Sequence, residues 1–201
     1  MMSRDRRAAL APAAAVALAG TLGGCGLIGQ PQNKSAELSE WFTVTSPVFR
    51  DGGDLPTRFG CATYSGPGGQ AGRTPPLRWS APGSAPGSQA TARSFAIVMD
   101  DPDASNGAYV HWVYAGIGST TQEIVEGARL DHTVEGQNTG GKVGYAPPCP
   151  PKGDRHRYRF TIYALDSLAP FPNGAPLKES LDAIAKHTVA RGRITGNFGS
   201  R

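Results

Sequence analysis

The sequence predicts a single loop-rich domain dominated by β-strands. Its 201 residues are enough for one domain with a proper core. Its 27 glycines and 17 prolines favour short strands joined by turns over a helical bundle. Three segments show the apolar runs or the alternation of strands, whereas one segment shows convincing helical periodicity. With 39% hydrophobic and 18% charged residues, the chain is typical of globular proteins.

Residues 1–24 predict a secretory signal peptide. A basic start is followed by the alanine-rich apolar run 8–22, which is too short for a convincing transmembrane helix. Leu22-Gly-Gly-Cys25 resembles a bacterial lipobox, in which the cysteine becomes the lipid-modified first residue. An ordinary signal peptide with an incidental cysteine is the alternative. We therefore expect a lipid anchor at Cys25 on the extracytoplasmic face of the cell membrane.

Residues 25–40 are polar and small, which predicts a tether ahead of a domain at residues 41–201. The domain is expected to open with a strand at Trp41–Thr45. The region 51–91 is rich in Gly, Pro and Ser, and predicts surface loops with a short strand at Leu77–Trp79.

Three stronger strands are predicted after these loops. Ser94–Asp100 is an unbroken apolar run, as in a strand buried on both faces, and Ala108–Ile117 is rich in aromatic and branched residues. Arg155–Asp166 alternates in its first half. One face carries His156, Tyr158, Phe160 and Ile162, and the other carries Arg155, Arg157, Arg159 and Thr161.

The segment after Pro176 predicts a helix. An apolar stripe at helical spacing consists of Leu177, Leu181, Ile184, Thr188 and Val189. Pro176 suits the first helical position, and Gly192 suits the C-terminal stop. We therefore expect this helix to continue to about Gly192.

Two cysteines, Cys61 and Cys149, remain in the expected mature chain. An even pair in an exported protein favours a disulfide. The alternative is two separate buried thiols, since spacing alone does not establish proximity.

Three parts of the sequence carry candidate site residues. Asp101 and Asp103 lie in a carboxylate cluster directly after a buried strand, where a plain turn is the alternative reading. His111 lies among apolar residues of the next strand, where a hydrogen-bonded core histidine is the alternative. His156 and Tyr158 follow the proline-rich corner PPCPPKGD.

The sequence resembles the phosphatidylethanolamine-binding protein family, in particular its bacterial Raf kinase inhibitor-like branch. The resemblance depends on Asp101-Pro-Asp-Ala104, on Val110-His-Trp-Val113, and on Pro147–Tyr158 continuing into the strand Phe160–Asp166. It covers roughly residues 41 to 199 in family order.

This resemblance implies a mostly β fold, an antiparallel β-sandwich with a few peripheral helices. It also implies a small pocket for phosphate-like anions, including phospholipid head groups. Matched residue by residue, the pocket is lined by Asp101, His111, His156 and Tyr158, with Asp103 in an orienting role.

The residue types fit anion binding, because two imidazoles and a phenol can supply convergent donors. Asp101 can accept an imidazole N–H and so fix the tautomer, or it can meet an ethanolamine ammonium group. The sequence departs from the family pattern at Ala146-Pro147, where the bacterial branch usually has two glycines. This change removes access to positive φ and one N–H at the expected pocket rim. Ser105 also replaces a usual proline.

The sequence favours a membrane-anchored binding protein without enzymatic activity, and neither a cofactor nor a metal is expected. Neither H-E-x-x-H nor G-x-S-x-G occurs, and no Lys/Arg block indicates nucleic-acid binding. The alternative function is inhibition or regulation of a cell-envelope enzyme, such as a peptidase or a kinase-like partner, through the loops around the pocket.

Overall fold

The structure is a computed structural model that describes residues 42–65, 71–82 and 91–200. In chain order its strands are β1 (Val44–Thr45), β2 (Gly53–Asp54), β3 (Leu77–Trp79), β4 (Ser94–Asp101), β5 (Tyr109–Gly118), β6 (Glu123–Ile124), β7 (Val134–Glu135), β8 (Arg155–Leu165) and β9 (Thr188–Gly199). The α-helices are α1 (Ala62–Ser65) and α2 (Leu177–His187), and a 3-10 turn spans Thr57–Phe59. The predicted signal peptide (1–24), the tether (25–40) and Cys25 lie outside the described residues. No helix in the described ranges is long and apolar enough to cross a membrane.

The strands form two sheets that pack against each other. The large sheet has the order β2-β9-β8-β4-β5-β7, and the small sheet has the order β1-β3-β6. The pairings are antiparallel, with the exception of β2, which runs parallel to β9 at one edge. The prediction of a mostly β sandwich with a few helices is confirmed, with this single parallel pair as an addition.

The predicted strands lie close to the observed ones. The predictions at Leu77–Trp79, Ser94–Asp100, Ala108–Ile117 and Arg155–Asp166 differ from the observed ends by no more than one residue. The predicted first strand is shortened to Val44–Thr45, and Trp41 lies outside the described residues.

Strand β4 contributes side chains to the hydrophobic cores on both faces of the large sheet. Phe95, Ile97 and Met99 face the main core between the two sheets. Ala96 and Val98 face a second, smaller core that α2 covers. Both faces are therefore buried, which is why this strand is an unbroken apolar run. Burying each large side chain stabilises the fold by roughly 1.5–3 kcal/mol.

The predicted helix ends earlier than its apolar stripe suggests. Helix α2 stops at His187, and the residues from Thr188 onward form β9 rather than a last helical turn. The prediction that the helix runs to about Gly192 is therefore wrong. Thr188 and Val189 fit the helical stripe, but they also begin a strict period-two burial pattern over 12 residues. Pairing along β8 decides in favour of the strand.

Gly192 ends no helix but allows two segments to approach closely. A Cβ at this position would lie 2.4 Å from the main-chain oxygen of Phe42 and 2.7 Å from Val44 Cγ2. The N–H of Phe42 also donates to the carbonyl of Arg191 at 3.1 Å. The glycine therefore lets the start of the domain pack directly on β9.

Candidate functional site

A cavity of about 390 Å³ lies where the end of β4 meets the starts of β5 and β8. The antiparallel order brings these three strand ends to one edge of the large sheet. All five site residues predicted from the sequence line this cavity, namely Asp101, Asp103, His111, His156 and Tyr158.

Strand β8 contributes two of these side chains, because alternate residues of a strand point to the same face. His156 and Tyr158 are two residues apart and therefore lie on the same face of the strand. Their rings are 6.5 Å apart and nearly parallel, with an interplanar angle of 24°. Tyr158 is buried, and its ring also contacts Phe198 of β9 at a centroid distance of 6.4 Å.

A β-bulge places His111 beside them. Met99 pairs with Trp112 and Asp100 pairs with Val110, so His111 is the extra residue of β5. A bulge turns a side chain away from its regular alternation. The His111 ring lies 5.3 Å from the Tyr158 ring, so both histidines lie next to one buried phenol.

Asp101 is a buried carboxylate whose charge is compensated by hydrogen bonds. Its Oδ1 accepts the main-chain N–H of Asp103 at 2.8 Å, and its Oδ2 lies 2.7 Å from His156 Nδ1. Because a carboxylate accepts, Nδ1 of His156 carries the hydrogen and Nε2 remains for a ligand. Burial raises the pKa of Tyr158 strongly, and the charge of Asp101 and a hydrogen bond to it add to this rise.

Asp103 faces a cation of the protein rather than a ligand. Its carboxylate accepts the main-chain N–H of Arg157 at 2.9 Å, the Nε–H at 2.8 Å and an Nη2–H at 2.5 Å. The hydrogen bond from the Arg157 side chain is the main cause that lowers the pKa of Asp103 to about 2. This contact ties the turn after β4 to β8, which fits the orienting role implied by the family resemblance.

His111 has a different hydrogen-bonding role from the one expected. Its Nδ1 lies 2.7 Å from the carbonyl oxygen of Ala146, and a carbonyl can only accept, so Nδ1 is the donor. Burial lowers the pKa of His111, although the bond to Ala146 partly opposes this. The neutral ring therefore presents Nε2 as an acceptor. The expectation that both imidazoles donate to the anion is revised, because the neutral His111 ring has no donor left for it.

The proline-rich corner is anchored to the rest of the domain. Cys61 and Cys149 form a disulfide across a sequence separation of 88 residues, and Cys149 lines the cavity. The Cys61 N–H donates to the Pro148 carbonyl at 2.9 Å. The Tyr64 hydroxyl donates to the Pro150 carbonyl at 3.0 Å.

Ala146 is accommodated without backbone strain. Among the non-glycine residues in the described ranges, only His132 has positive φ, so Ala146 does not need the glycine that the bacterial pattern usually has. Its N–H donates to the His111 carbonyl at 2.8 Å, while its own carbonyl accepts from the His111 ring. Pro147 and Ser105 line the cavity beside it.

The sequence analysis missed two further lining residues, Tyr109 and Asp154. Tyr109 precedes His111 by two residues, and its ring lies 4.7 Å from the His111 ring. Asp154 precedes His156 by two residues in the same way. The signal for Asp154 is its place at the end of the corner PPCPPKGD beside His156, whereas the bulge at His111 leaves Tyr109 without a periodicity signal.

Within residues 42–65, 71–82 and 91–200, no group of three or more His, Cys, Asp or Glu side chains is placed to hold a metal ion.

Comparison with known proteins decides the family. A sequence model described as phosphatidylethanolamine-binding protein matches residues 45–199. The chain belongs to the phosphatidylethanolamine-binding protein family. The match includes every one of the five predicted cavity residues.

Relatives within this family agree in sequence and in fold. A Mycobacterium tuberculosis protein named "Putative lipoprotein LppC" is 35% identical over 98% of this chain and 99% of its own length. A crystal structure of a Chlamydia trachomatis protein, described as a putative phosphatidylethanolamine-binding protein homologue, superposes with a TM-score of 0.66 at 30% identity. That comparison covers 81% of this chain and 100% of the other. The crystal structure of the Escherichia coli protein YbcL also superposes with a TM-score of 0.66, at 27% sequence identity. That comparison covers 80% of this chain and 99% of the YbcL chain.

Proposed function

We propose that the protein binds a phosphate-like anion, such as a phospholipid head group, in the cavity between His111 and His156. The observation that supports this most is the bond from His156 Nδ1 to the buried carboxylate of Asp101. A carboxylate that accepts the Nδ1–H of an imidazole fixes the orientation of the ring. When this ring is protonated, its Nε2–H points into the cavity and donates a charge-assisted hydrogen bond to a ligand oxygen.

The second histidine narrows the ligand chemistry. With its Nδ1–H donated to Ala146, neutral His111 accepts a hydrogen at Nε2. A ligand that combines an anionic oxygen with a hydrogen donor satisfies both rings. A phosphate that keeps one proton and a phosphoethanolamine head group with its ammonium are two such ligands.

We further propose that lipidation at Cys25 holds this domain at the extracytoplasmic face of the cell membrane. The lipobox-like sequence supports this location, and so does the naming of the M. tuberculosis relative as a lipoprotein. We also propose that the protein acts by binding rather than by catalysis, in line with the non-enzymatic members that the family resemblance implies. Regulation of a cell-envelope enzyme stays a prediction.

Calorimetric titration with O-phosphoethanolamine tests the proposal. His156→Ala removes one charge-assisted hydrogen bond of about 1.5–3 kcal/mol, so affinity falls roughly 10- to 100-fold. His187→Ala is the matched control, because His187 Nδ1 also bonds an aspartate, Asp166, at 2.8 Å but does not line the cavity. Equal affinity of wild type and His156→Ala, with both folded by circular dichroism, would refute the assignment.

A further inference from the structure

The cavity between His111 and His156 has an acidic lining. Among the described residues that line it there is no Lys or Arg, whereas there are three aspartates, Asp101, Asp103 and Asp154. Sites that hold a phosphate by charge alone use arginine or lysine side chains. The acidic lining therefore favours a ligand that brings a cation together with its phosphate.

Two of the three aspartates are already engaged by the protein. Asp101 accepts the main-chain N–H of Asp103 on one oxygen and the His156 ring on the other, and it is only 3% exposed. Asp103 accepts three hydrogen bonds from Arg157. Neither carboxylate is therefore well placed to meet an ammonium group, although the sequence left this role open for Asp101.

Asp154 differs from the other two in its surroundings. It is exposed, and within the described ranges its carboxylate takes part in no ion pair and no hydrogen bond of the protein. Its main chain is held in place, because its N–H donates to the Pro151 carbonyl at 3.0 Å. The end of β9 also packs on it, since a Cβ at Gly199 would lie 2.2 Å from the Asp154 carbonyl oxygen. A carboxylate without a partner thus stands on a fixed segment at the rim of the cavity.

The corner before Asp154 offers no main-chain donor from its prolines. Pro147, Pro150 and Pro151 line the cavity, and proline has no N–H. The carbonyl of Pro151 already accepts the Asp154 N–H. This part of the lining therefore suits a short carbon chain that ends in a cation, rather than a second anionic oxygen.

The spacing of Asp154 and His156 fits a small zwitterion. The two residues line the same cavity and are two positions apart. Two residues of extended chain span roughly 6.6 Å, which is twice the rise of a strand. A phosphate and an ammonium group joined by a two-carbon chain are separated by a comparable length. A phosphate bound at His156 therefore leaves the ammonium group within reach of Asp154.

We propose that Asp154 is a specificity-determining residue of this cavity, and that its carboxylate pairs with the ammonium group of an amino-alcohol phosphoester. This inference rests on the phosphate-binding function proposed above. The phosphate lies between His156 and His111, the carbon chain passes the proline rings, and the ammonium group ends at Asp154. Such a phosphoester occurs as a lipid head group and as a free small molecule, and the experiment below separates these two sources.

Calorimetric titration of the full chain with O-phosphoethanolamine and with ethyl phosphate tests the role of Asp154, because the two ligands share the phosphate and differ in the ammonium group. We expect the wild type to prefer O-phosphoethanolamine about fivefold, which is the effect of one ion pair at a partly exposed rim. Asp154→Asn keeps the shape of the side chain and should remove most of this preference. The variant should also bind ethyl phosphate at least as tightly as the wild type, because a negative charge has left the rim.

Asp131→Asn is the matched control, because Asp131 is another exposed aspartate and does not line the cavity. It removes the same charge from the protein and should keep the wild-type preference, with both variants folded by circular dichroism.

Glycerophosphoethanolamine, a diester like a lipid head group, identifies the source of the ligand. An Asp154-dependent preference for it over glycerophosphoglycerol indicates a lipid head group, and such a preference for the monoester alone indicates a free phosphoester. Equal wild-type affinities for O-phosphoethanolamine and ethyl phosphate, or a preference that persists in Asp154→Asn, would overturn the role of Asp154 alone. A wild type that binds neither ligand would instead refute the phosphate-binding function.

Discussion

The disulfide beside the cavity should contribute to stability far more than to ligand binding. In the chain-entropy account, cross-linking Cys61 to Cys149 over 88 residues removes unfolded-state freedom worth about 4–5 kcal/mol. The total stability of a domain is only about 5–15 kcal/mol. The double variant Cys61→Ser, Cys149→Ser should therefore lose about a quarter or more of its free energy of unfolding.

The folded cavity should change little in the same variant, because two other contacts hold the proline-rich corner. These are the Cys61 N–H to the Pro148 carbonyl and the Tyr64 hydroxyl to the Pro150 carbonyl. Each is worth about 1 kcal/mol and does not depend on the sulfur atoms. Affinity for O-phosphoethanolamine should therefore fall less than about threefold.

Urea unfolding followed by tryptophan fluorescence measures the first effect, and calorimetric titration below the unfolding transition measures the second. Adding a reductant to the wild-type protein also breaks the disulfide. The reduced wild type should therefore have the same free energy of unfolding as the double variant. A stability loss below about 1 kcal/mol would contradict the entropy argument. A large loss of affinity in a fully folded variant would show that the disulfide itself shapes the cavity.

Two further predictions concern the site and the fold. Because burial lowers the pKa of His111, its ring stays neutral down through the ordinary histidine range near pH 6.5 and gains a second donor only at lower pH. Calorimetry with dimethyl phosphate, whose charge is constant there, should show affinity rising as pH falls below the ordinary histidine range near 6.5, and this part of the rise should vanish in His111→Gln. Gly192→Ala should destabilise the fold by about 1–3 kcal/mol, because the new Cβ meets the Phe42 oxygen at 2.4 Å; an unchanged urea midpoint would contradict this.

A strand could be predicted from the sequence where its own residues show an apolar run or an apolar–polar alternation. Strand β9 was not predicted, because its first residues continue a helical pattern. Thr188 and Val189 continue the apolar period of the preceding helix, so local periodicity favours helix there. Two glycines within the following residues, Gly192 and Gly196, lower the strand propensity further. The strand forms because β8 pairs with it in antiparallel register along its length. In addition, Phe42 packs directly against the backbone at Gly192, where a side chain would clash. Both contacts join residues that are far apart in sequence, so the local pattern of residues 188–199 does not reveal them.

The identity of the site residues was predictable, but the role of one histidine was not. Three motifs, which contribute two, one and two residues and are joined by the family resemblance, identified the five side chains that share the cavity. Whether His111 donates or accepts depends on the carbonyl of Ala146, 35 residues away, and on the bulge that turns the ring towards it. Neither a bulge nor a loop carbonyl has a sequence signature in a single chain.

Electrostatics explains why an aspartate belongs in an anion site. Asp101 is almost fully buried, and its charge is met by a main-chain N–H and by the His156 ring rather than by solvent. With His156 protonated, the two side chains form a neutral pair whose positive end offers Nε2–H to the ligand. Recognition in the cavity therefore depends on oriented donors and acceptors, which reject a ligand lacking a matching hydrogen.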